Sequence, residues 1–199
     1  TTHSQIELDC QSASTTTTSL GGWGFWMKVV TGDLLVLGRE GKFDVIIHGC
    51  NCFNTMGAGI AKSIKQQFPA AYYVDSLTKK GSRDKLGTYT LAVIRFDEDG
   101  NKIATTTAAA NDDDDGHKLT IVNAYTQYHW RRKDRNQAIL ANYDAIRAVF
   151  AQMKKDFSGK RFGYPYIGAG MAQGDWNIIS QIIEDELQGE DHTLVVYKP

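Results

Sequence analysis

From Met27 onward, apolar and polar positions along the chain switch between two periods. "MKVVT" is apolar and β-branched and stops at the turn pair Gly32-Asp33. "FDVIIHG" is a nearly continuous apolar run, the pattern of a strand covered on both faces. "GIAKSIKQQF" then changes period, with Ile60, Ile64 and Phe68 at helical spacing until Pro69 closes the pattern. "LGTYTLAVIRF" and "KLTIVNAY" read as strands again. A long amphipathic helix is predicted next, carrying Ile139, Tyr143, Ile146, Phe150 and Met153 on one stripe. A strand in "RFGYPYIG", a helix in "DWNIISQIIEDEL" and a last strand in "TLVVYK" complete the order. Strands and helices alternating at these lengths predict one α/β domain over residues 27–199, with a mostly parallel central sheet flanked by helices.

Two stretches stand outside this pattern. "DEDGNKIATTTAAANDDDDGHK" is polar and of low complexity, as expected for a loop or an extended hairpin tip. Its run Asp112–Asp115 reads as solvated loop, because consecutive acids do not converge on one ion without turn geometry. The leading "TTHSQIELDCQSASTTTTSLGGWGFW" is Ser/Thr-rich and has neither a basic start nor a continuous apolar core, so it does not read as a secretory signal. Met27 reads as the natural start, and residues 1–26 as an added or accessory extension whose Trp23, Phe25 and Trp26 suit docking on an apolar surface.

Composition narrows the function classes. The 199 residues are 42% hydrophobic and 23% charged with a formal net charge of −1, which argues against long nucleic acid as the main partner. No apolar run approaches the roughly 20 residues that span a bilayer. Cys10, Cys50 and Cys52 are an odd set without the spacing of a disulfide framework, and a reducing, cytoplasmic setting is expected.

Candidate chemistry gathers in two glycine-bearing turns, each between a strand and a helix. "MGAGIA" offers Gly57 and Gly59; "YIGAGMAQGDW" offers Gly168, Gly170 and Gly174. Small residues let backbone N–H groups approach an anion, and a helix N-terminus adds a favourable dipole, so two such loops suit a pyrophosphate. Neither is followed by Gly-Lys-Ser/Thr, and Lys62 breaks the full dinucleotide-fold spacing. His48, Cys50 and Cys52 lack the spacing of a structural zinc site, and the thiols read best as small buried hydrophobes. No metal and no cofactor is expected. The amides of Asn51 and Asn54 suit a ribose hydroxyl or an oriented water, or a turn cap. His48 is either a general base or a hydrogen-bonded core histidine, and Asp175, just before a helix, is either a cap or a catalytic carboxylate. Arg131, Arg132, Lys133 and Arg135 in "NAYTQYHWRRKDRN" read as a solvated helix entry, with attraction of a terminal phosphate or a nucleic-acid-linked substrate as the second reading.

Taken in order, Gly32-Asp33-Leu34 after the first strand, "HGCNCFNTMGAGIA" and "IGAGMAQGDW" resemble the macro domain family over nearly all of the chain from Met27 onward. The likeness is greatest to its branch of ADP-ribose-1″-phosphate phosphatases and related ADP-ribosyl-glutamate hydrolases. The resemblance implies a three-layer α/β/α fold with a mixed, mostly parallel sheet and an ADP-ribose cleft along the sheet top. On it, Asp33 accepts from the adenine amino group with Leu34 beside it. Met56, Gly57, Ala58, Gly59 and Ile60 form the first diphosphate loop, and Gly168, Ala169, Gly170 and Met171 the second. Asn51 lies near the distal ribose, and Tyr197 packs near the adenine or is only a sheet-edge aromatic. The glutamate-linkage hydrolases use a lysine and an aspartate; "TLAVI" has no lysine there and the second-loop position is Ala172, so a lysine-adduct route is not expected. The resemblance therefore implies hydrolysis of ADP-ribose-1″-phosphate with Asn51, His48 and Asp175 as candidate catalytic residues. Its alternatives are a non-catalytic ADP-ribose reader, including one of ADP-ribosylated protein, and a hydrolase of ester-linked ADP-ribose such as the O-acetyl derivative.

Overall fold

A computed structural model describes residues 27–97, 100–106, 116–131 and 139–198, without the side chains of 104–106. Residues 1–26, the Asp112–Asp115 run and Arg132, Lys133 and Arg135 lie outside the described residues.

The elements follow in the order β1 (Lys28–Thr31), α1 (Leu34–Arg39), β2 (Val45–Asn51), α2 (Gly59–Gln67), α3 (Pro69–Ser76), a 3-10 turn (Arg83–Lys85), β3 (Tyr89–Phe96) and β4 (Lys102–Thr106). Then come β5 (His117–Gln127), α4 (Tyr143–Asp156), β6 (Phe162–Tyr164), α5 (Trp176–Glu186) and β7 (His192–Val196). One sheet runs β1-β7-β6-β2-β5-β3-β4. Its first five strands are parallel; β3 runs antiparallel to both β5 and β4, so the sheet is mixed, as expected.

Strand alternation distributes the core between two helical layers. Val45 and Ile47 of β2 point with Val122, Ala124 and Leu194 toward Ile146, Val149, Phe150 and Met153 of α4 and Ile179, Ile182 and Ile183 of α5. Ile46, Ala92, Ile94 and Ile121 point the other way, against Leu34 and Leu35 of α1, Ile64 of α2 and Ala71 and Val74 of α3. A third cluster, Cys50, Cys52, Met56 and Tyr125, fills the same side near the carboxyl end of β2. The result is the expected α/β/α sandwich.

Three expectations are corrected. Helix α1 follows the Gly32-Asp33 turn, where the run "LLVLGR" is too short to show a stripe; Asp33 caps it, its Oδ1 accepting from Leu35 N at 2.7 Å and Val36 N at 3.2 Å. Pro69 ends α2 but also opens α3, as its missing N–H costs nothing at a first helical position. Ile139 stands before α4 and is exposed, because Asn142 caps the helix by accepting from Ala145 N at 2.8 Å.

Phe150 is fully buried, edge-to-face with Tyr164 at 5.8 Å between centroids, whereas Val36 is exposed on α1. Phe150→Ala should therefore lower unfolding free energy by about 3–5 kcal/mol, and Val36→Ala by no more than about 0.5 kcal/mol. Urea denaturation followed by circular dichroism checks both.

Candidate ligand site

Parallel strands deliver their carboxyl ends to one edge, where open α/β sheets bind ligands. Asp33 follows β1 and Tyr197 follows β7; the bond from Gly32 N to Val196 O, 3.0 Å, keeps these two ends side by side. The turn 165–175 follows β6 and the turn 52–58 follows β2. From β1 to β2 there are three strand spacings, about 14 Å at roughly 4.8 Å each, so the edge suits an elongated ligand.

The two glycine turns differ in what their glycines do. A Cβ on Gly57, Gly59 or Gly170 would meet nothing within 4 Å, and all three residues are exposed. By contrast, Gly168 has φ +72°, and a Cβ there would lie 3.1 Å from Ile179 Cδ1 and 3.3 Å from Ile146 Cδ1. At Gly174 it would lie 2.8 Å from Ile179 Cδ1. Gly168 and Gly174 are thus packing glycines, tied by the bond Gly174 N to Gly168 O at 2.8 Å, and they hold the turn flat on α4 and α5. Gly57, Gly59 and Gly170 leave free space over the backbone.

Helix α2 starts at this open backbone. Ala58 at its N-cap supplies no side-chain acceptor, and no acid sits in the first turn. The leading N–H groups are left for solvent or an anion, with the helix dipole behind them. Gly59 has φ +54°, a conformation that disfavours any side chain.

Other expected site residues fall into three groups. Ala58, Met171 and Tyr197 are exposed, and Asp33, Ile60 and Ala169 partly so. Leu34 and Met56 are buried in the core clusters, so at these positions a ligand would meet backbone and not side chain. Asn51, also buried, has its amide committed locally: Oδ1 accepts from Phe53 N and Thr55 Oγ1, both at 2.9 Å, and Nδ2 donates to Thr55 O at 3.0 Å. In this conformation Asn51 braces its own turn.

The general-base expectation for His48 is corrected. It has no exposed surface, and its Nε2 donates to Asn123 Oδ1 at 2.8 Å. Asn123 Nδ2 in turn donates to Ala71 O at 2.7 Å, so the imidazole lies beneath α3 and away from the open edge. Burial pushes its pKa down to about 4, against the opposing bond to Asn123. The neighbouring thiols are no better poised. Burial raises Cys50 well above its ordinary range, with Asp75 reinforcing, and burial also raises Cys52. Among the described residues no group of three or more His, Cys, Asp or Glu is placed to hold a metal ion. Asp175 is the exposed carboxylate beside the second turn; its Oδ1 accepts from Asn177 N at 2.8 Å, so it caps α5 with one oxygen.

Sequence periodicity did not point to the polar cluster beneath the first turn. Asn54 has φ +58°; its Nδ2 donates to Asp75 O at 2.5 Å and to Thr78 O at 3.2 Å, and its Oδ1 accepts from Lys85 Nζ at 2.8 Å. Lys85 Nζ also donates to Thr78 Oγ1 at 2.5 Å, lies 3.4 Å from Asp75 Oδ1, and sits 4.2 Å from the centre of the Tyr125 ring. Tyr125 OH donates to Asp75 Oδ1 at 2.8 Å. One signal was readable: Asp75 falls on the buried stripe of α3 with Ala71 and Val74, where an acid demands a partner. A second cluster borders the same turn, with Phe53 edge-on to Tyr128, His129 and Trp130.

Comparison with known proteins agrees with this architecture. No protein-family model matches the chain. A protein from the tk-vs intergenic region of Enterobacteria phage T4, described as an uncharacterized 17.5 kDa protein, is 29% identical over 178 residues, 87% of this chain and 97% of its own. A 29-residue stretch, 15% of this chain and 14% of the other, is 55% identical to the ADP-ribose 1″-phosphate phosphatase of Aspergillus oryzae. The macrodomain of Mycobacterium tuberculosis DarG superposes with a TM-score of 0.57 at 20% identity, over 89% of this chain and 99% of that one. The macrodomain of Thermus aquaticus DarG gives 0.56 at 18% identity, over 89% and 100%. Thermosipho africanus DarTG, solved in complex with ADP-ribose, gives 0.56 at 16% identity, this chain covering 42% of that one. The chain therefore has the fold of a macrodomain.

The buried His48 makes a pH prediction whose sign is fixed. Its folded pKa, about 4, lies below the unfolded value near 6.5, so the unfolded chain binds more protons between these values and stability falls as pH drops through that window. Between pH 7 and pH 5 the loss from this residue should be about 2 kcal/mol. His48→Gln, whose amide can still reach Asn123, should lose less stability over that interval than the parent protein, as urea titrations at the two pH values would reveal.

Proposed function

We propose that the chain binds ADP-ribose along the carboxyl edge of its sheet and hydrolyses a substituent at the distal ribose, with ADP-ribose-1″-phosphate as the substrate. The supporting observation is the free space over Gly57, Gly59 and Gly170, which flanks the uncapped start of α2. The exposed backbone there belongs to the turns after two neighbouring strands, β2 and β6, an arrangement suited to two linked phosphates. Asp33 stands at the far end of the edge, where its second carboxylate oxygen suits an exocyclic amine of adenine. The short stretch shared with the Aspergillus oryzae phosphatase, and the ADP-ribose held by the Thermosipho africanus neighbour, support the ligand class.

In this reading a water attacks phosphorus, the bond from phosphorus to the ribose 1″ oxygen breaks, and ADP-ribose and phosphate leave. Asp175 is the carboxylate available to accept the proton of the water, since it is exposed and uses one oxygen as a cap. The enclosed position of His48 and the committed amide of Asn51 favour a second reading, a module that holds ADP-ribose without turning it over. Phosphate release distinguishes the two.

Calorimetry should detect ADP-ribose binding. Gly57→Val and Gly170→Val should keep the melting temperature to within a few degrees yet weaken binding more than about tenfold, since a Cβ at either position has no packed neighbour within 4 Å and the side chain would extend into the proposed ligand space. Asp175→Asn preserves the helix cap and should cut phosphate release from ADP-ribose-1″-phosphate by about 100-fold or more. A parent protein that binds ADP-ribose but releases no phosphate, and is equally inert toward the O-acetyl derivative, would establish the non-catalytic reading.

A further inference from the structure

We propose that Lys85 is a positioning residue for ligand binding: through Asn54 it fixes the left-handed corner from which the Gly57–Gly59 backbone is presented. This rests on the ADP-ribose reading of the site.

Asparagine tolerates the left-handed region better than other side chains but still prefers to leave it, so its conformation at residue 54 needs a hold. Here the hold is complete. Both ends of the Asn54 amide are bonded, the donors to Asp75 O and Thr78 and the acceptor to the Lys85 ammonium. Only Thr55 and Met56 separate this corner from Gly57, and neither can slacken: Thr55 is bonded twice to Asn51, and the Met56 side chain is buried with Cys50, Cys52 and Tyr125. A shift at Asn54 is therefore passed on to the open glycines.

Lys85 acts through another residue and does not meet the ligand. Its side chain is only 8% exposed, enclosed by Asn54, Thr78, Asp75 and the Tyr125 ring. An apolar side chain of similar length could fill the same volume, at a cost in stability because Asp75 would stay buried without its cation. What such a residue cannot supply is a donor directed at Asn54 Oδ1. The charge thus specifies where the turn sits as well as stabilising the buried Asp75, and turn position is what a ligand bound by backbone amides depends on.

The test compares the parent protein with Lys85→Met, Asn54→Gly and the double variant. Lys85→Met should weaken ADP-ribose binding roughly ten- to 100-fold and speed hydrogen exchange at the bonded amides of Phe53 and Lys62, which flank the open glycines, by about tenfold or more, and by more than in the α4 core. Asn54→Gly, which adopts the same φ without strain, should reproduce both effects, and the double variant should be no weaker than either single one. A folded Lys85→Met protein with parental affinity and parental exchange at Phe53 and Lys62 overturns the proposal, as do strictly additive effects. If Lys85→Met does not fold, Asn54→Gly carries the same expectations, and unchanged affinity and exchange there are equally fatal. Absence of ADP-ribose binding by the parent would instead sink the ligand reading, while the exchange measurement still decides the role of Lys85.

Discussion

An anion site made of backbone amides imposes a conflict on the chain that builds it. The donors must be left unbonded and open to solvent, yet they must not move. At the site proposed for this protein the conflict is met from underneath: the turn after β2 exposes Gly57, Ala58 and Gly59 on its outer side while two asparagine amides clamp its inner side. Asn51 closes the turn on itself and Asn54 ties it to α3 and to Lys85. The position of this turn depends on these bonds, since side chains on its outer face would occupy the place proposed for the ligand.

The inner side is expensive to build. A lysine and an aspartate lie almost wholly out of water, and each would be strongly destabilising alone. Their desolvation is offset by a network in which the ammonium has three oxygen neighbours and an aromatic face, and the carboxylate also accepts from Tyr125 OH. The bond from Tyr125 to that carboxylate and its own burial both hold the phenol in its neutral form. Further back, Tyr125 OH and Thr90 Oγ1 lie 3.3 Å apart, Thr90 Oγ1 accepts from Asn123, and Asn123 accepts from His48. The histidine, drawn toward catalysis by its place in the motif, is thus the far end of a polar seam that keeps β2, β3, β5 and α3 in one register.

The legible part of the sequence was the part that follows a period. The continuous apolar run of β2, the β-branched run of β3 and the stripes of α2 and α4 are physical consequences of burial on two faces or one, and they gave the layered fold. Asp175 before α5 was readable because a cap is a local device. Short α1 has no room for a stripe, Pro69 begins one helix as it ends another, and Ile139 keeps helical spacing outside the helix; each is a case where a local signal has two structural meanings. The network under the first turn was illegible for another reason. Asn54, Asp75, Lys85 and Tyr125 come from four separate segments, and no spacing rule joins them; only the chain's path over the sheet does.

That distinction bears on what the glycines mean. In sequence the two turns look alike, a strand followed by small residues and a helix. In space one glycine set is there because side chains would collide with α4 and α5, and the other because nothing is there at all. Only the second kind argues for a ligand. Packing glycines keep a turn low so that the open ones are not shaded by it, and Gly168 and Gly174 do this for Gly170. Buried amides and charges keep the partner turn fixed so that its donors stay aimed. The proposed binding edge therefore rests on two mechanisms of opposite character, tight apolar contact under one turn and a satisfied polar network under the other. A substitution at the edge has to be judged by which of the two it disturbs.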